Sequence, residues 1–370
     1  MDKIIRILHI NASLRSGGVA ILLYNYYEKM NHDLIAFDHI VHVPDKGMTE
    51  LKFEKEGSIV YHLPRFNRLF DTFFKTRKII KQGKYKIVQV HHTQKSFLQL
   101  LAAWSCGVPV RIAHSHNYYT GEKGLKYCVN RVFSSLTTLF ATDYFACSDL
   151  AGQYVYGKKT ASKKYKKVIN AIEVEKYRLQ SKIRDTIRKE WNLEGKFVIS
   201  HVGRLTSQKN PYRLLSIFSE VAKRQDDAVL FWIGTGEMEG EIREHISELG
   251  LEDKVILAGE SDRVNELLMG ADFFLLPSLY EGLGIVLVEA QVSGLPCLAS
   301  DVIPHEVKLT DCLEFLALSE SDGTWADKIL EMSTMQRRNC TYKIIEAGYD
   351  LQTNANDLQQ WYLRKAGYYD

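Results

Sequence analysis

Four charged side chains in two short stretches could grip an anion beside hydroxyl groups. Residues 202–211 read Val-Gly-Arg-Leu-Thr-Ser-Gln-Lys-Asn-Pro, and residues 281–289 read Glu-Gly-Leu-Gly-Ile-Val-Leu-Val-Glu. In the first stretch Arg204 and Lys209 place two cations in a loop after an apolar run, and Gly203 clears the backbone for close approach. Cations so placed suit a diphosphate. In the second, Gly282 and Gly284 open the backbone before an apolar helix that starts at Ile285. The first amides of such a helix are unpaired and partly positive, which makes a phosphate site. Glu281 and Glu289 flank it. Carboxylates there suit hydroxyl groups, from which they accept hydrogen bonds. Alone, the first stretch reads equally as surface cations on an exposed loop, and the second reads better as a helix start with one solvated glutamate; together they read as two halves of one site.

A third loop, residues 11–19, reads Asn-Ala-Ser-Leu-Arg-Ser-Gly-Gly-Val. Gly17 and Gly18 precede a helix start, again a place where an anion can approach. Histidines 9, 91, 92, 114 and 116 recur where strands should end. A metal site is one reading of them, but acidic ligands are absent and no Asp-x-Asp occurs, so no metal is expected. His114 and His116 are two apart and would share one face of a strand.

These loops need a scaffold, and the hydrophobic pattern supplies one. Apolar runs alternate with amphipathic stretches, the mark of parallel sheets covered by helices. Strands are predicted at 4–10, 35–43, 58–63, 87–90, 108–113 and 144–147, and again at 197–202, 228–233, 255–257, 272–276 and 296–300. Residues 158–196, polar and basic, read as the linker region. The chain of 370 residues suits two doubly wound α/β domains, at 1–180 and 181–347, each with its ligand crevice at the carboxyl ends of its strands. A tail at 348–370 is expected to be helical and to join the first domain. The six cysteines form no C-x-x-C pair and read as reduced core thiols.

Taken together, Gly-Arg-Leu with Gln208-Lys209-Asn210 and the run from Glu281 to Ala290 resemble the family-four retaining glycosyltransferases, in particular the capsule and exopolysaccharide branch. The stretches Ala271-Asp272, Leu276-Pro277-Ser278, Ser293-Gly294-Leu295-Pro296 and Ser300-Asp301 continue the likeness. The resemblance implies the GT-B fold, two facing Rossmann-like domains with a cleft between them, and a nucleotide-sugar donor, UDP-linked by family frequency. It implies that Arg204 and Lys209 bind the diphosphate and stabilise it as a leaving group. Glu289 would accept from the ribose, Glu281 would contact the transferred sugar, and the amides of Leu283, Gly284 and Ile285 would meet sugar and phosphate. The loop from Glu260 would hold the base, the Gly17-Gly18 loop would lie beside the donor phosphates and the acceptor, and His114, with His116 as its rival, would face the sugar. No cofactor is implied, since the nucleotide-sugar is itself a substrate. Front-face attack with retention needs no side-chain nucleophile, and Lys209→Ala should greatly reduce turnover with the fold intact. The family's Asn-Gly-Ile-Asp is here Asn170-Ala171-Ile172-Glu173, a departure at that turn and not in the donor loops.

Charge is unevenly spread. Residues 1–180 carry 28 Lys and Arg against 14 Asp and Glu, while the remainder is acidic. Phe66, Phe70, Phe73, Arg77 and Ile80 fall at helical spacing among basic residues, and 158–167 holds six lysines. Such a half suggests an anionic membrane surface and a saccharide or lipid-linked acceptor; no nucleic-acid motif occurs. Residues 1–11 do not read as a secretory signal and no stretch is long enough to span a bilayer, so the expected location is cytoplasmic, peripheral on the inner membrane face. Two rival readings remain. One is a nicotinamide-dependent oxidoreductase using Gly234, Gly236 and Gly240, whose third glycine falls one residue late for the dinucleotide fingerprint. The other is a non-catalytic partner subunit, which Arg204, Lys209, Glu281 and Glu289 argue against.

Overall fold

The computed structural model describes residues 4–15, 18–64, 69–92, 96–116, 124–157 and 165–369. They form two compact units, residues 1–171 with 351–370, and residues 172–350. The first holds strands β1 (Ile5–Ile10), β2 (Ile35–Val41), β3 (Val60–His62), β4 (Ile87–Val90), β5 (Val110–Ser115), β6 (Asp143–Ala146) and β7 (Tyr165–Lys167). They pair in the order β3-β2-β1-β4-β5-β6-β7, every pairing parallel. The second holds β8 (Phe197–Val202), β9 (Ala228–Ile233), β10 (Val255–Gly259), β11 (Phe273–Leu276), β12 (Cys297–Ser300) and β13 (Leu313–Leu316). Their order, β10-β9-β8-β11-β12-β13, repeats that of the first unit. Central strands such as β2 and β11 are buried at every position, as a sheet covered on both faces requires.

In each sheet the chain order reverses beside the first strand, between β1 and β4 and between β8 and β11. Loops leaving these strands diverge to opposite faces and open a crevice at their carboxyl ends. The three loops singled out in the sequence leave β1, β8 and β11.

The unit boundary lies between 171 and 172, not after 180, because the next residues are tied to the second unit. Ser293 Oγ donates to the Tyr177 carbonyl at 2.8 Å, and Asn265 Nδ2 to that of Lys176 at 3.1 Å. The expected tail helix is Leu351–Lys365, and the first unit resumes at 351 rather than 348. Its buried face, Leu351, Ala355, Leu358 and Tyr362, follows the three-to-four spacing of one helix stripe and packs with Phe37, Tyr26 and Tyr27. Each large apolar side chain so buried contributes roughly 1.5–3 kcal/mol. Gln359 accepts from the Asn31 amide at 2.6 Å, which fixes the helix's rotation as well as its place.

Two strands escaped the sequence pattern. β7 (Tyr-Lys-Lys) lies inside the stretch read as linker, and β13 (Leu-Glu-Phe-Leu) is also short. Both are edge strands, where one side need not be buried and charged side chains are tolerated.

Candidate functional site

β8 ends at Val202 and the chain turns through Gly203-Arg204-Leu205 into a short 3₁₀ turn, Ser207–Lys209. Asn210 then takes a left-handed conformation (φ 56°), and Pro211 opens the helix Pro211–Ala222 as its first residue. This turn drives Lys209 inward. Its Nζ donates to Glu281 Oε1 at 2.6 Å, and Gln208 Nε2 reaches Glu281 Oε2 at 3.3 Å. Two further bonds clamp the β8 and β11 loops together: Leu279 N donates to the Gln208 carbonyl at 2.9 Å, and Asn210 Nδ2 to that of Pro277 at 3.1 Å. Gly203 leaves room for the lysine stem that lies over it; a Cβ there would meet Lys209 Cε at 2.6 Å and push the stem aside.

The two cations are therefore unlike. Arg204 is exposed and joins no ion pair among the described residues, whereas Lys209 and Glu281 are each only 9% exposed and paired. Sequence reasoning gave Lys209 and Glu281 separate tasks; the fold puts them in contact. Gln208, inside the quoted motif, was given no role.

Past Glu281 the chain runs through Gly282 and Leu283 to Gly284, whose left-handed conformation (φ 82°) caps the helix Ile285–Val292. The amides of residues 283–286 have no acceptor among the described residues. A row of free N–H groups at a helix start is a phosphate cradle. Glu289 lies one turn further in. Burial pushes its carboxyl up to about 7, against the opposing effect of the Tyr177 hydroxyl, which donates at 3.0 Å. Tyr177 is distant in sequence and carried no signal. Glu260, just beyond β10, is exposed.

Two of the three glycines of the rival fingerprint have another task. A Cβ on Gly236 would lie 2.6 Å from the amide nitrogen of Leu205, and one on Gly234 would strike the carbonyl of Gly203. They let the β9 loop pack against the β8 loop.

In the first unit, Gly18 opens the helix Gly18–Glu28 beside a cavity of about 200 Å³ lined by Asn11, Ser13, Arg15, Gly18 and His91. Gly17 lies outside the described residues. The histidines form a buried cluster. His9 Nδ1 lies 3.0 Å from His91 Nε2, and His91 Nδ1 lies 2.8 Å from His116 Nε2. The His114 and His116 rings are 3.9 Å apart, so the expected shared face is real. Burial, then the neighbouring imidazoles, holds His9, His91 and His114 well below the usual histidine range, and burial takes His116 to about 3. All four are neutral at physiological pH. Nitrogens of His91, His114 and His116 lie within 4.8 Å of one another and could hold a metal ion. Both nitrogens of His91, however, are already engaged with other histidines. Only His114 of the pair has a nitrogen, Nε2, buried without a partner.

Two Rossmann-like units of the same strand order, one with a free-amide helix start beside a Lys–Glu pair at its switch point, have the architecture of GT-B transferases. HepE of Anabaena, solved with UDP and glucose, shares this fold with a TM-score of 0.74 at 19% identity, over 96% of this chain and 95% of that one. The family described as Glycosyl transferases group 1 matches residues 183–349. EpsF of Bacillus subtilis, to which glycosyltransferase activity is attributed, is 30% identical over 96% of both chains. The Escherichia coli UDP-Gal:α-D-GlcNAc-diphosphoundecaprenol α-1,3-galactosyltransferase is 26% identical over 77% of both. The chain thus belongs to the group 1 glycosyltransferases, the family-four enzymes with the GT-B fold, and the oxidoreductase reading is not supported.

Proposed function

We propose that this glycosyltransferase moves a sugar from a UDP-linked donor to a saccharide or lipid-linked acceptor in surface-polysaccharide synthesis. The observation that carries the donor reading is the Lys209–Glu281 pair set beside the free amides of residues 283–286. Arg204 and those amides take the diphosphate, and Lys209 supplies the positive charge toward which its leaving oxygens move. Glu281, held by Lys209 and Gln208, accepts from a sugar hydroxyl. Glu289 accepts from the ribose, and the Glu260 loop borders the base. Gly18 and its cavity border the donor phosphates and the acceptor, and His114 meets the sugar. Stabilising a departing diphosphate by preorganised charge is the largest contribution such a site makes. The E. coli relative's UDP-galactose and diphosphoundecaprenol substrates, and the UDP in HepE, favour the nucleotide and acceptor class.

A thermal-shift panel with UDP, GDP and NAD tests this reading. UDP at a hundredfold over its Kd stabilises by about 2.7 kcal/mol, so its melting shift should exceed that of the other two. The UDP-sugar that then releases UDP fastest identifies the donor. Stabilisation by NAD alone would sink the proposal.

A membrane surface as partner is favoured by the first unit's helices. Leu69–Gly83 turns Thr72, Thr76, Ile79 and Ile80 inward but leaves Phe70 83% exposed and Phe74 61% exposed. The sequence reading passed over Gly124–Phe140, where Leu125 is 81% exposed and Val132 and Leu139 are also exposed. Lys75, Lys78 and Lys81 accompany the phenylalanines. Apolar side chains among cations suit an anionic bilayer interface. Among the described residues no helix is long and apolar enough to cross a membrane. Most of the lysine run at 158–167, and Phe66, lie outside the described residues. The protein should float with anionic liposomes at low salt and detach at high salt, and Phe70→Ser with Leu125→Ser should weaken flotation. Equal recovery with neutral liposomes would refute an electrostatic surface.

A further inference from the structure

The C-terminal helix carries a side chain into the histidine cluster. The Tyr362 hydroxyl lies 2.6 Å from Gln89 Oε1, and Gln89 Nε2 lies 3.0 Å from His114 Nδ1. Tyr362 is fully buried and its hydroxyl has no other partner among the described residues. Its proton therefore goes to Gln89 Oε1. Turning the amide round would leave the O–H without an acceptor in the core, a cost of roughly 1–3 kcal/mol. With its oxygen held by the tyrosine, Gln89 presents N–H to His114, and Nδ1 accepts. A neutral imidazole that accepts at Nδ1 carries its proton on Nε2. His114 is neutral, held so by burial and by the neighbouring His116 and His9. Its Nε2 is buried with no acceptor among the described residues. An oriented buried donor left unanswered is costly in the free protein, and a ligand oxygen would satisfy it.

We propose that Tyr362, acting through Gln89, is a positioning residue that locks His114 as the Nε2–H tautomer, so that His114 offers a sugar oxygen a hydrogen-bond donor and not a base. The proposal rests on the reading of His114 as a sugar-facing residue. It gives the last helix a task beyond packing: the residue that completes the first unit's core also orients a polar group at the carboxyl end of β5. A donor in this place holds a hydroxyl without removing its proton, and His114, being neutral, adds no charge to repel an electron-poor sugar ring.

Tyr362→Phe removes only the hydroxyl and keeps the ring that meets Phe37 edge-on. The full chain labelled with ¹⁵N-histidine, with His114 assigned from the His114→Gln variant, reports the tautomer through long-range ¹H–¹⁵N couplings. Wild type should show His114 protonated at Nε2. Tyr362→Phe, and Gln89→Leu as a second variant, should show a mixture or Nδ1–H. In turnover, Tyr362→Phe should lower kcat about tenfold, the size of one misplaced hydrogen bond, with KM nearly unchanged. A merely structural hydroxyl would shift the melting temperature and leave the tautomer alone. Wild-type His114 protonated at Nδ1, or an unchanged tautomer in Tyr362→Phe, overturns the proposal. His114→Gln keeps the two layers apart: full turnover in that variant overturns the sugar-facing reading itself, whereas an inactive His114→Gln with a wild-type Tyr362→Phe overturns only the relay.

Discussion

Lys209→Ala is expected to cost both catalysis and stability. Removing a preorganised group that meets developing charge typically lowers kcat by about 10²–10³, and Lys209 is the cation fixed at the switch point of the second sheet. The sequence alone suggested that the fold would survive intact. The buried pair alters that expectation. Glu281 would keep Gln208 at 3.3 Å and lose the ammonium at 2.6 Å, leaving a carboxylate that is only 8% exposed without its charge partner. Breaking one side of such a pair costs roughly 3–5 kcal/mol, less where the acid takes up a proton. The melting temperature should fall by several degrees, since 1 kcal/mol is worth about 2–4 °C in a unit of this size. Lys209→Met with Glu281→Gln separates the two losses. It keeps a stem over Gly203 and removes both charges, so stability should recover while turnover does not. A Lys209→Ala protein that transfers sugar at the wild-type rate would refute the charge assignment.

What could be read in advance depended on how far apart in the chain the partners lie. Gly203, Gly282 and Gly284 sit beside the elements they serve, so strand, glycine and helix start were legible as local patterns. The Lys209–Glu281 contact spans 72 positions and follows only from β8 lying beside β11, which hydrophobic periodicity does not reveal. Tyr177 reaches Glu289 across 112 positions and Tyr362 reaches Gln89 across 273; nothing near either tyrosine marks it. The histidines were legible as strand ends but not as a bonded cluster, because β1, β4 and β5 had first to be set side by side. The exposed apolar face of Gly124–Phe140 was missed for a different reason. Helical periodicity marks an apolar stripe but does not say whether the stripe faces the sheet or solvent.

Gly236→Ala is expected to damage the protein before any ligand is added. Gly236 is not among the residues with positive φ, so alanine can adopt its backbone conformation and the objection is one of space. An added Cβ would lie 2.6 Å from the nitrogen and 2.7 Å from the carbonyl carbon of Leu205, and closer still to its oxygen. Those atoms are backbone and cannot swing away. They are also pinned: Leu205 N donates to Thr235 O at 3.1 Å, and Leu205 O accepts from Met238 N at 3.1 Å. Relief requires the β8 and β9 loops to part, which strains both bonds and lifts the fully buried Leu205 side chain. Overpacking costs roughly 1–3 kcal/mol and each lost hydrogen bond about 1 kcal/mol more. Arg204 precedes Leu205, so the same movement displaces the exposed cation proposed to bind the diphosphate, and UDP affinity should fall by tenfold or more, about 1.4 kcal/mol. A dinucleotide loop would behave in the opposite way, since its glycine is kept for the ligand and alanine would leave the apo protein nearly as stable as before. Urea unfolding without nucleotide, followed by UDP titration, distinguishes them. An unchanged apo midpoint with impaired NAD binding would favour the dinucleotide loop, whereas a lowered midpoint with weakened UDP binding is the outcome required by two loops packed backbone to backbone.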